Sequence, residues 1–134
     1  MIAGRAVSTR PRRAVRIAFC ALAWVFALGI VLQVMLAGVS LFVDGNRWRL
    51  HANVGHSFLL PLLSMLLLSV LGGLPRRLGW LVLAAISLMM IQGATAAMGG
   101  WPAVVHPVNA MLLFWLSLDI VRQAHNFDSP EGSL

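Results

Sequence analysis

Four long apolar stretches, at about 17–43, 53–73, 78–98 and 104–123, alternate with short polar segments along the chain. Each is close to the roughly 20 apolar residues a helix needs to cross a bilayer. The pattern predicts an all-α membrane protein: an antiparallel bundle of four transmembrane helices built from two similar hairpins. The stretches nearly fill the chain, so the expected organisation is one domain over 1–134, with short polar tails at both ends and no soluble domain. The closing "NFDSPEGSL" is polar and is expected to fray. The first stretch follows an arginine-rich segment, as a secretory signal would, and Arg12–Arg13 faintly matches a twin-arginine signal. It is far longer than the roughly 7–15 apolar residues of a signal, so a retained helix is expected.

Composition agrees. The chain is 60% hydrophobic with mean hydropathy +0.87, and 10% of its residues are charged. Soluble domains carry roughly 25% charged residues. The net charge of +6 does not indicate nucleic acid, because its distribution follows the loops. All ten basic residues are Arg. Arg5, Arg10, Arg12, Arg13 and Arg16 precede the first helix, Arg76 and Arg77 sit between the second and third, and Arg122 ends the fourth. Arg47 and Arg49 lie at the opposite end. The positive-inside rule then predicts a multi-pass protein of the cell membrane with both termini cytoplasmic. Anionic lipid would reinforce that orientation. Arg- and Ala-rich, Lys-free usage suggests a bacterial source with a GC-rich genome.

Local signals fill in the bundle. "LPRRLGW", 74–80, breaks the helix at Pro75 and forms the central loop. Trp48, Trp80 and Trp101 stand at positions expected for interfacial anchors. Cys20 is the single cysteine, which excludes an intrachain disulfide and thiol–disulfide chemistry. No carboxylate lies in the middle of helix 1, as a small multidrug exporter would need. Asp119, three residues before Arg122, is expected to form a local ion pair.

The halves of the chain echo each other. Helix 1 carries "LQVMLAG" and helix 3 "IQGATAA"; helix 2 opens with "HANVGH" and helix 4 with "HPVNA". Gly29, Gln33, Ala37 and Ser40 share one stripe of helix 1, and Gln92, Ala96 and Gly99 share one of helix 3. Small stripes let membrane helices approach, and Gln can hydrogen-bond across the contact. Both Gln side chains are therefore expected to face the interior, where their amides find partners.

His51, His56 and His106 fall at the outer end of the predicted bundle, and His125 falls in the cytoplasmic tail, where solvation is expected. Counting back from Arg76 and Arg122 at about 1.5 Å per residue puts His56 within roughly 6 Å of the depth of His106, and His51 within roughly 14 Å. His56 is thus the preferred partner of His106, with His51 at the interface. Pro107 fixes the backbone beside His106: either helix 4 begins there, or it begins near Pro102 and kinks.

Two imidazoles at one depth on facing helices suit a haem iron, with small residues where the macrocycle packs. Zinc is less favoured, since Asp44 is the only outer carboxylate. The expected site is therefore a haem b with His56 and His106 as metal ligands and His51, Gln33 and Gln92 around them. A second reading is a non-catalytic membrane subunit with no cofactor, its histidines merely interfacial. The expected partners are the lipid bilayer and either a membrane redox partner or a second copy of the chain.

"LQVMLAG…RLHANVGH…LPRRLG…IQGATAA…HPVNA" resembles a family of small, uncharacterised bacterial four-helix membrane proteins over nearly the whole chain. More distantly, the order Gln-helix, His-helix, Gln-helix, His-helix resembles one half-bundle of haem A synthase. That resemblance implies haem ligation by His56 or His51 together with His106. The chain departs from the synthase in having one bundle and no Glu three residues before the helix 2 histidine.

Overall fold

The structure is a computed structural model describing residues 10–126, with side chains from residue 13; the polar tail lies outside the described residues. The chain forms α1 (Arg10–Phe42), a short 3-10 turn (Gly45–Arg47), α2 (Trp48–Ser57), α3 (Leu59–Leu71), α4 (Arg76–Met98), α5 (Gly100–Ala103) and α6 (Val105–Asn126). These make four units long and apolar enough to cross a membrane: Arg13–Phe42, Gly45–Leu71, Arg76–Met98 and Gly100–Asn126. The fold is an all-α four-helix bundle of the multi-pass membrane type. α1 packs on α3 and α6, and α4 packs on the same two, so the units close into a ring with consecutive units adjacent. The helices run beyond the apolar stretches because helix geometry continues into the polar flanks, whereas hydropathy marks only the apolar part.

Pro and Gly set the breaks. Pro61 has no N–H and crowds the carbonyl four residues before it. The second unit accordingly breaks at Phe58, between α2 and α3. The fourth unit begins at Gly100 and breaks at Val104, in the turn before Pro107. Of the two readings of "HP", the kinked helix is the one observed, and His106 is itself helical. Gly73, Gly99 and Gly100 have φ of 62°, 62° and 56°, which L-residues rarely adopt. They end α3 and α4 and reverse the chain. The turn after α1 is capped by Asp44, whose carboxylate accepts from the Asn46 N–H at 3.0 Å and from Arg47 Nε at 3.3 Å. The Asn46 N–H first, with help from Arg47, holds the Asp44 carboxyl below its ordinary range.

Apolar packing is confined to one half of the bundle. The core comprises Phe19, Phe26 and Ile30 of α1, Leu62 and Met65 of α3, Val82 and Ala85 of α4, and Leu113, Leu116 and Ile120 of α6, with smaller neighbours. All lie toward the end that carries Arg16, Pro75 and Arg122. Ala23, Ala27, Ala85 and Ala124 let the backbones approach, which matters in lipid, where dispersion and fit hold helices together. Toward the other end, among the described residues, the buried side chains are Ser40 and Asn109, both polar. Larger apolar side chains such as Leu28, Leu60, Leu67, Met111 and Trp115 cover the outside of the ring.

Candidate functional site

The polar half of the bundle contains the two echoed Gln–His pairs. His51 of α2 places Nδ1 3.1 Å from the Gln33 carbonyl of α1. His106 of α6 places Nδ1 3.1 Å from the Gln92 carbonyl of α4. A carbonyl only accepts, so Nδ1 is the donor in both rings. In the neutral form, Nε2 then carries the lone pair, the arrangement that orients a metal-ligating histidine. The two rings come from different hairpins and lie close together, with centroids 6.2 Å apart and planes inclined at 57°. Trp48 stands edge-on to His51, with centroids 5.5 Å apart.

The partner brought to His106 is thus His51. His56, the partner preferred from residue counting, is exposed on the outside of α2. The count failed because it ran through Gly72–Pro75, which turn the chain, and because it stopped at Arg122 although α6 continues to Asn126. Measured from the helix ends the depths agree: His51 stands twenty residues before Leu71, and His106 twenty before Asn126. His56 is about 140° around the helix from His51, so it cannot share that face.

Both Gln side chains point inward, in different circumstances. The Gln92 amide oxygen accepts from Asn109 Nδ2, which also donates to the Leu88 carbonyl at 2.8 Å. The Gln33 amide nitrogen and oxygen are buried with no hydrogen-bond partner. They lie against Gly55, where an added Cβ would come within 3.4 Å of Nε2. Gly55 is one helical turn from His51 on the same face, so the amide lies one turn from the histidine pair toward the core. The stripe on helix 3 does not continue the interior beyond Gln92, because Ala96 is exposed.

Three features were not read from the sequence. Asn109 lies three residues beyond His106, a same-face spacing that could have marked it. His125 is exposed, as expected, and its Nε2 also accepts a 3.1 Å hydrogen bond from the Trp24 indole Nε1–H. Asp119 accepts from Gln123 Nε2 at 2.7 Å and forms no ion pair with Arg122. The Gln123 amide reaches it from the next turn of α6. Among the described residues no group of three or more His, Cys, Asp or Glu side chains is arranged to hold a metal ion.

The profile of a family of unknown function (DUF6220) matches residues 33–99, which run from Gln33 through His51 to Gly99. No curated protein and no solved structure matches the chain, so the resemblance to haem A synthase has no support from relatives.

Proposed function

The chain belongs to that family of unknown function, and we propose that it is a membrane haem protein that holds one b-type haem between His51 and His106. The observation that carries the reading is the close histidine pair, one ring from each hairpin, each fixed through Nδ1 by the carbonyl of the equivalent Gln. A metal bound by two opposed imidazoles at about 2.0 Å puts the ring centroids about 6.3 Å apart. The observed 6.2 Å separation is compatible with that. The donor set fits as well: two imidazoles and, among the described residues, no larger His, Cys, Asp or Glu cluster that would favour another metal site. Among the described residues, the half of the bundle around them has no buried apolar side chain.

A bis-imidazole haem would supply one-electron redox chemistry. The chain's own residues bind and orient it. Gln33 and Gln92 fix the ring tautomers through their carbonyls, and Trp48 covers one face of the site beside His51. The proposal includes the arginine-based orientation: a cell-membrane protein with both termini cytoplasmic and the histidine pair toward the outer face. A redox or haem-handling role with a membrane partner follows from it.

The test is the spectrum of protein purified from haem-replete cells. Sharp low-spin bands on reduction are expected. His51→Ala and His106→Ala should each abolish or broaden them, while His56→Ala and His125→Ala should leave them intact. Protein that is colourless, and stays so when titrated with haemin, refutes the proposal. Loss of the bands in His56→Ala alone would move the helix 2 ligand to His56.

A further inference from the structure

The hairpins are alike in their histidines and unlike one turn below them. "HANV" at 51–54 and "HPVN" at 106–109 align on the histidine, which sets Val54 in the register of Asn109. Asn109 occupies the Gln92 amide and is buried, 3% exposed. Val54 offers nothing to Gln33, and both polar atoms of the Gln33 amide are enclosed without a partner. A buried amide left unsatisfied is costly, and the cost is greater in a membrane interior. Gly55 lies against this amide, where an added Cβ would make ordinary van der Waals contact. One hairpin therefore closes its polar pair internally, and the other leaves it open beside the histidines.

We propose that Gln33 is a ligand contact. Its amide hydrogen-bonds an oxygen atom in the site, either a carboxylate oxygen of the haem or a water enclosed with it, while the Gln92 amide is already taken by Asn109. This inference rests on the haem reading above. It distinguishes two residues that sequence symmetry would treat as equivalent.

The experiment titrates the detergent-purified full chain with haemin and with haemin dimethyl ester, and records the thermal midpoint of each variant without haemin. Gln33→Leu is expected to weaken haemin binding about tenfold, the size of one good hydrogen bond. Val54→Asn should do the same by occupying the amide, and should raise the midpoint of the haem-free protein. Gln92→Leu keeps the backbone carbonyl that holds His106 and removes only the amide bonded to Asn109, so it should lower haemin affinity less than Gln33→Leu does. If the oxygen belongs to a haem carboxylate, the Gln33→Leu defect disappears with the dimethyl ester. If it belongs to water, the defect persists with both probes. Wild-type protein that binds haemin while Gln33→Leu binds equally well overturns this inference and leaves the haem reading standing. So does an equal defect in Gln92→Leu. Wild-type protein that binds no haemin overturns both. Should Val54→Asn fail to fold, the comparison of Gln33→Leu with Gln92→Leu still decides.

Discussion

Small residues on membrane helices are read from sequence as contact points, but their roles here differ from glycine to glycine. Gly29 is buried under the ring of Phe58, which rests on the space a Cβ would fill. Gly38 sits in a neighbouring stretch of the same helix, with nothing within 4 Å of that position. Gly29→Ala must displace an aromatic ring that also packs on the core, and overpacking of this kind costs about 1–3 kcal/mol. Gly38→Ala meets no neighbour and gains helix propensity, up to about 1 kcal/mol. Unfolding of the two variants in mixed micelles should therefore shift in opposite directions. Equal destabilisation would mean that Gly38 is covered by something outside the single chain. The sequence showed that both positions were small. It could not show which one had a ring against it, because Phe58 reaches Gly29 only through the break that Pro61 forces in the second unit.

At the scale of elements, periodicity and hydropathy were enough to find the four spanning units, because a continuous apolar run in lipid can only be a helix or part of a closed barrel. Depth was harder to read. Pairing His56 with His106 assumed helices that end at their arginines, and the turn at Gly72–Pro75 together with the continuation of α6 to Asn126 defeats that ruler. The echo between "HANV" and "HPVN" was the better guide, since repeated local sequence implies repeated local geometry. The Trp24–His125 bond shows the same limit at the opposite end of the bundle. It joins residues 101 apart in sequence, with ring centroids 6.5 Å apart, and ties the last turn of α6 to α1. A double-mutant cycle of Trp24→Phe with His125→Ala should give a coupling of about 0.5–1.5 kcal/mol, the usual net worth of one hydrogen bond. Additive effects would show that each ring packs independently and that the α6 terminus is held by Ile120, Val121 and Ala124 alone.

At the scale of the whole molecule, the bundle is divided into a well-packed half and a polar half, and the arginines are divided in the same way. The ring of antiparallel units gathers Arg13, Arg16, Arg76, Arg77 and Arg122 at the packed end and leaves Arg47 and Arg49 at the other. Asp44 lies 3.3 Å from Arg47, but acidic residues weigh little in the positive-inside rule, so the count of cations decides. That count predicts the packed end in the cytoplasm and the histidine end outside. Cys20 is the only native thiol, so a Cys20→Ala background allows single reporters. Asn46→Cys, in the exposed turn between α1 and α2, should react with a membrane-impermeant maleimide in intact cells. Arg77→Cys, in the exposed start of α4, should react only after the membrane is permeabilised. Two arginines at that position make it the more sensitive of the pair, so Leu74→Cys, in the same loop with both arginines kept, serves as its control. Labelling of Arg77→Cys and Leu74→Cys in intact cells, with Asn46→Cys protected, would invert the chain. The histidine pair would then face the cytoplasm, and any electron partner would have to approach from that side.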